Sequence, residues 1–316
     1  VVSATLRSNR VQREQAETPL YQDTDKVRVS IFVEKPSTLE EGFYTENIAA
    51  NTQAMSYRKE LKAQQDAVAR RISKDALGGE ELDIVWNLTL AANLISANVA
   101  YGDIEAIKAV PGVADVVLET RYEPDVVRTD ATDPNMATSS SMIGSGSVWE
   151  TGYYGAGSRV AVIDTGTDSD HQSFNAEAFH HALEEDAAAA GKTVASYGLL
   201  DAAEIARKLP LLNIAEEDWG SVTDAEKLYV SEKLPFAYNY VDHDYDITHD
   251  NDDMGEHGSH VAGISTANRY LKSGDTFVSA LDTVSTQGVA PDAQLITMKV
   301  FGKEGGAYDA DYMAAI

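Results

Sequence analysis

Two short, unbroken apolar runs constrain this chain most: Ser158–Asp164 (SRVAVID) and Ala293–Phe301 (AQLITMKVF). A strand wetted on one face alternates apolar and polar residues, whereas one covered on both faces reads as a continuous apolar stretch. Helical stretches lie between and after the two runs, the last of them DADYMAAI at 309–316. This grammar predicts an α/β fold with a parallel sheet, whose ligands meet the carboxyl ends of the strands.

The earlier residues follow a different grammar. KVRVSIFVE (26–34) alternates like a half-buried strand, and residues 51–72 carry Met55, Leu61, Val68 and Ile72 at helical spacing. ELDIVWNLTLAANLISANV (81–99) reads as a strand followed by a second extended or partly helical segment. YGDIEAIKAV (101–110) reads as a short amphipathic helix stopped by Pro111-Gly112, and ADVVLETRYEP as a last strand. Strand, helix, strand, helix and strand in about 100 residues predict a small α+β domain with an antiparallel sheet. A polar seam rich in Ser and Thr, with Pro134, follows at 125–147 and is expected to be open to proteolysis. The expected organisation is a leader at 1–25, a small domain at 26–124, a processing linker at 125–143 and an α/β domain at 144–316.

Bulk properties narrow the function. The 316 residues suffice for two domains that each bury a core. No apolar run approaches the ~18 residues of a membrane span. The absence of cysteine excludes disulfides, thiolate zinc sites and a cysteine nucleophile. Through residue 129 there are 15 basic against 20 acidic residues, and from residue 130 on there are 10 against 31. A surface that acidic repels a phosphate backbone and argues against nucleic-acid partners.

Asp164 closes the first apolar run and precedes Thr165-Gly166, the place where α/β folds put active sites. Taken alone, a turn-forming aspartate before glycine is the plainer reading. GEHGSHVAGI (255–264) carries His257 and His260 three apart. A general-base histidine needs a carboxylate on Nδ1 to fix its tautomer, and Asp164 is the candidate partner for His257. Gly258 would admit a close neighbour, and Ala262 and Gly263 would let the following helix pack tightly. His257 and His260 as a zinc pair is the rival reading, but no HExxH arrangement accompanies them. Asp250-Asn251-Asp252-Asp253 is read as an exposed loop in preference to a calcium site, since no EF-hand spacing is present. The glycines of GYYGAGSRVAVID precede the strand, the wrong order for a dinucleotide site.

Three blocks together carry a family resemblance: VAVIDTG (160–166), HGSHVAG (257–263) and GVAPDAQLITMKVFG (288–302). In this order they resemble the Asp block, His block and following strand of the subtilases, the subtilisin-like serine endopeptidases, whose Asp-His-Ser order is a standard reference. KLPFAYNYVDHDYD (233–246) is similar to the segment before the His block in Gram-positive cell-envelope proteinases of the lactocepin kind. The resemblance covers 144–174 and 237–316, and it implies a subtilisin-like parallel-sheet catalytic domain, here incomplete. A small ferredoxin-like α+β propeptide domain is implied ahead of it, by pattern and position more than by a sharp motif. It further implies Asp164 as the orienting acid, His257 as the general base and His260 as a non-catalytic neighbour. Gly305-Gly306-Ala307 matches the edge strand that binds substrate backbone, with a plain loop as the equal alternative. Protein or peptide substrates are implied, with the chain's own propeptide as an intramolecular inhibitor. Its tail past Glu123-Pro124 would enter the cleft, and self-cleavage would fall within 125–141. No cofactor is implied for catalysis, structural calcium is compatible, and a secreted or cell-surface setting is expected.

The chain also departs from the family. It has no serine block after the His block, no oxyanion asparagine and no G-x-S-x-G. Ser140-Ser141-Met142 precedes the Asp block and is a decoy. Asp164 and His257 are 93 residues apart, and the extra stretch 175–236 reads as a helical insertion containing EAFHHALEEDAAAAGK and DAAEIARKL. The sequence stops at Ile316 within a helix that lacks a cap signal, so a truncated zymogen, inactive by itself, is expected. The alternatives are a non-catalytic binding or inhibitory module and, ranked last, a zinc hydrolase using His257 and His260.

Overall fold

A computed structural model of the chain describes residues 21–46, 48–123, 142–215, 225–250, 255–303 and 305–316. Most of the expected leader and linker, the stretch 125–141 with Ser140 and Ser141, and Asn251–Asp253 lie outside the described residues. Contacts divide the chain into two compact units, one up to Glu46 with Gln53–Glu119, the other Asn47–Thr52 with Thr120–Ile316.

The first unit runs β1 (Lys26–Val33), α1 (Thr52–Asp75), β2 (Asp83–Leu88), β3 (Leu94–Ala100), α2 (Ile104–Lys108) and β4 (Val113–Leu118). Its four strands form one antiparallel sheet in the order β2-β3-β1-β4. LISANV, ambiguous in the sequence, is extended because β3 pairs on both sides, with β1 and β2. Helix α1 buries Ala54, Arg58, Leu61, Gln65, Val68, Ala69 and Ile72, a three-four spacing that puts all seven on one face. Val68, Ala69 and Ile72 pack with Val29, Ile31, Ile95 and Ala97 of the sheet. Gln65 is polar yet fully buried, and its Nε2 donates to Leu88 O, Asn93 Oδ1 and Leu94 O, which ties the helix to the β2–β3 turn.

The second unit holds a three-stranded parallel sheet in the order β6-β10-β7, built from β6 (Arg159–Asp164), β7 (Phe236–Asn239) and β10 (Gln294–Lys299). Coverage on both faces, expected for both apolar runs, holds for β10 alone. β10 is central and nearly all buried, whereas β6 lies at the edge and buries only Val162. The core joins Val162, Leu295 and Ala237 of the three strands to Phe174, Leu234, Ile247 and Ala262. Each of the valine, leucine, isoleucine and phenylalanine side chains among them contributes roughly 1.5–3 kcal/mol by leaving water.

Around this sheet lie α3 (Ser145–Trp149), α4 (Ala176–Ala190), α5 (Ala202–Lys208), α6 (His257–Thr266), α7 (Ala280–Val284) and α8 (Asp309–Ala315). Helix α4 starts on Asn175, whose side chain accepts from Ala178 N–H, and ends on Gly191 in the left-handed region. A hairpin of β8 (Tyr270–Ser273) and β9 (Thr276–Ser279) had no counterpart in the sequence reading. Phe277 of β9 stacks on His181 of α4, with ring centroids 4.4 Å apart.

A buried polar cluster fastens the start of β10. Lys233 Nζ donates to the carbonyls of Pro291 and Ala293, each at 2.8 Å, and lies 4.7 Å from the centroid of the Phe179 ring. Burial lowers the Lys233 amine to about 7, partly offset by the charge of Asp292. Arg269 donates to Asp292 Oδ2 at 2.9 Å and to Asp186 Oδ1 at 2.8 Å. Burial, and secondarily the neighbouring Asp186, raise Asp292 to about 8, with Arg269 acting in the opposite direction.

Candidate active site

Asp164 is the last residue of β6, and β10 places Lys299 beside it in register. Its Oδ1 accepts from Thr165 N–H at 2.7 Å and lies 2.8 Å from Nδ1 of His257, the first residue of α6. The carboxylate is 16% exposed and the imidazole 44% exposed. This geometry assigns the Nδ1 proton to the bond with Asp164, leaving Nε2 as the basic nitrogen. An acid shielded from water that holds a more open imidazole has the geometry needed to fix a tautomer and orient a base.

The loop after β6 is fixed on three sides. Gly258 N–H donates to Thr165 Oγ1 at 2.9 Å, and Asp168 N–H donates to Ser259 Oγ at 2.8 Å. Lys299 Nζ, in a residue only 1% exposed, donates to Thr165 O at 2.6 Å. The neighbour that Gly258 admits is the backbone of Gly166, where a Cβ on Gly258 would overlap the Gly166 carbonyl oxygen. Gly166 in turn has φ +110°, and a Cβ there would overlap the carbonyl oxygen of Ile247. Lys299 escaped the sequence reading, although a lysine inside the apolar run ITMKVF is a signal of a buried polar tether, and the fit of Gly166 against Ile247 had no sequence signal.

His260 lies one turn along α6 and is exposed, its N–H donating to Glu256 O. Among the described residues no three His, Cys, Asp or Glu side chains gather in a way that could hold a metal ion. Ala262 is fully buried, but Gly263 has open space around it, so only the alanine contributes the close packing expected of the pair.

Gly305-Gly306-Ala307 leads into and opens β11 (Ala307–Tyr308), which pairs antiparallel with β5 (Arg121–Tyr122) in the register Ala307 to Tyr122 and Tyr308 to Arg121. Both glycines have φ +73°. Arg121 lies over Gly306 where a Cβ would overlap its guanidinium, and it donates to Gly305 O at 3.4 Å. Asp309 Oδ2 accepts from Thr120 N–H at 2.7 Å, and its Oδ1 accepts from Tyr122 OH at 3.0 Å. The Tyr122 ring meets Tyr312 edge-on at 5.6 Å, and Tyr312 meets Phe301 edge-on at 6.0 Å. Burial, followed by the charge of Asp164 and the neighbouring Tyr122 and Asp311, raises the pKa of the Tyr312 phenol.

The chain is similar in sequence to known proteins. The profile described as the subtilase family aligns with residues 155–316. The PII-type proteinase of Lacticaseibacillus paracasei is 33% identical over 66% of this chain and 9% of its own length. The PI-type proteinase of Lactococcus lactis subsp. cremoris is 32% identical over 66% of this chain and 9% of its own length. The minor extracellular protease Vpr of Bacillus subtilis is 25% identical over 85% of this chain and 25% of its own length. The chain therefore spans under a tenth of the length of the first two relatives. Among solved structures, the epidermin leader peptide processing serine protease of Staphylococcus aureus aligns with 92% of this chain and 46% of its own, at 13% identity and a TM-score of 0.43. Fervidolysin of Fervidobacterium pennivorans aligns with 95% and 34%, at 13% identity and a TM-score of 0.44. With the family profile matched over half of its length, the chain belongs to the subtilase family.

Proposed function

We propose that this chain supplies the acid and base of a serine endopeptidase that is made as a zymogen. The observation that carries the reading is the 2.8 Å approach of His257 Nδ1 to Asp164 Oδ1, across 93 residues of sequence. In the proposed mechanism Nε2 of His257 takes the hydroxyl proton of a serine as its oxygen attacks a peptide carbonyl. The imidazolium is held by Asp164 and then gives the proton to the departing amine. The serine and the oxyanion donors are assigned to further chain beyond these 316 residues.

The first unit is read as the ferredoxin-like propeptide domain, in keeping with its β-α-β-β-α-β order. The pairing of Arg121–Tyr122 with β11 supports a propeptide tail that occupies the substrate strand, with self-cleavage within 125–141. Protein substrates accord with relatives named proteinase and protease, and a secreted setting accords with the one named extracellular; surface attachment is the further step of this reading. The chemistry asks for no cofactor, and any calcium would be structural.

The test is His257→Ala in the full-length protein, produced in a host stripped of other proteases. The precursor is expected to accumulate uncut, with no new amino terminus between residues 125 and 141. A variant processed at the normal site and rate would overturn the assignment.

A further inference from the structure

Pairing with β11 reads only main chain, so selection among peptides must come from the side chains beside that strand. The register of β5 shows which chemistry those side chains offer. Thr120, through its main-chain N–H, and Tyr122, through its hydroxyl, both reach one carboxylate. Asp309 Oδ2 is engaged by the main-chain N–H of Thr120, a donor that every peptide except one with proline at that position can provide. Its Oδ1 is left for a side-chain donor, and the Tyr122 hydroxyl takes it. The ring of Tyr122 meets Tyr312 edge-on, with Phe301 supporting Tyr312 from beyond.

We propose that Asp309, with Tyr312 beside it, is a specificity-determining residue that selects extended peptides carrying tyrosine where Tyr122 now lies. The inference rests on the protease reading and deepens it. Phenylalanine at that position satisfies the ring platform but leaves Oδ1 of Asp309 without its donor. Lysine satisfies the carboxylate but offers no ring to Tyr312. Tyrosine alone of the three meets both. Arg121 lies on the glycine side of the strand and takes no part in this selection.

The test measures binding, so that it does not depend on turnover. Labelled hexapeptides Leu-Glu-Thr-Arg-Tyr-Glu, copied from residues 118–123, and their Phe and Lys counterparts at the fifth position are titrated by anisotropy. The receptor is the full-length protein carrying His257→Ala, which cannot turn the peptides over. The chain's own tail competes equally against all three, so the ratios of Kd are unaffected by it.

The expected result is a Tyr peptide bound about 3- to 10-fold more tightly than the Phe peptide, the effect of one charge-assisted but partly wetted hydrogen bond. In Asp309→Ala the two should bind alike, both more weakly because Thr120 N–H has also lost its acceptor. Asp309→Asn, which keeps an oxygen in place with less risk to the helix start, should give an intermediate ratio. Equal binding of Tyr and Phe peptides before mutation would overturn the inference. So would a Lys peptide that outcompetes Tyr, or a Tyr-to-Phe ratio that survives Asp309→Ala. Hydrolysis by the protein with His257 intact is scored separately, so loss of the protease reading and loss of this selectivity are told apart.

Discussion

Gly258 and Gly166 meet backbone to backbone, so closely that a Cβ on Gly258 would overlap the carbonyl oxygen of Gly166. The first residue after the candidate base thus presses on the second residue after the candidate acid. That contact, with the bond from Gly258 N–H to Thr165 Oγ1, sets how far His257 stands from Asp164.

Gly258→Ala should therefore push α6 away from the β6 loop. Overpacking of this kind costs about 1–3 kcal/mol, and a misplacement of about 1 Å at a reacting group lowers rate on the order of 100-fold. Thermal unfolding and kcat/KM of the full-length protein check both. An unchanged Tm together with unchanged kcat/KM would mean that the gap closes without loss.

Asp164→Ala should leave Nδ1 of His257 and Thr165 N–H without the one carboxylate oxygen that both use, so neither the tautomer nor the ring orientation is fixed any longer. The expected loss in kcat is on the order of 10⁴-fold, with KM little changed. A loss below about tenfold would show that Asp164 does not orient the base.

Gly306→Ala introduces a methyl group under the Arg121 guanidinium and strains a backbone held at φ +73°. Pairing of Arg121–Tyr122 with β11 should weaken, seen as faster amide hydrogen exchange in residues 120–123. Adding Arg121→Ala removes the steric part but leaves the backbone cost of about 1–2 kcal/mol. Exchange as slow as in the parent would rule out this account of Gly306.

The buried Lys233 makes a pH prediction whose sign is the reverse of the usual lysine case. Its pKa is lowered from 10.5 to about 7, so between those values the unfolded chain binds a proton that the folded chain does not. Stability from this group therefore rises as pH rises from about 7 towards 10.5 and is lost as pH falls back through that window. Asp292, raised from 3.8 to about 8, acts in the opposite direction at lower pH. Denaturant midpoints between pH 8.5 and 10 isolate the lysine, and Lys233→Met should flatten their upward slope. It should also lower stability throughout, since the carbonyls of Pro291 and Ala293 lose their donor.

Much of this protein was legible in one dimension. Alternation in KVRVSIFVE, the helical spacing of Leu61, Val68 and Ile72 and the run AQLITMKVF are local patterns, and local patterns follow from how each element buries one face or both. The placement of Asp164 at a strand end and of His257 at the head of a small-residue helix was legible for the same reason. Only the tertiary structure decided that the two meet, because closing 93 residues onto a 2.8 Å contact is a long-range event. The same holds for Lys299 reaching Thr165 O, for Gly166 fitting against Ile247, and for the β8–β9 hairpin stacking on α4. Asp309 and Tyr122, 187 residues apart, are ordinary surface residues in the sequence. Local periodicity says which face of an element is apolar, whereas partners far along the chain are chosen by packing, hydrogen-bond satisfaction and the register of paired strands.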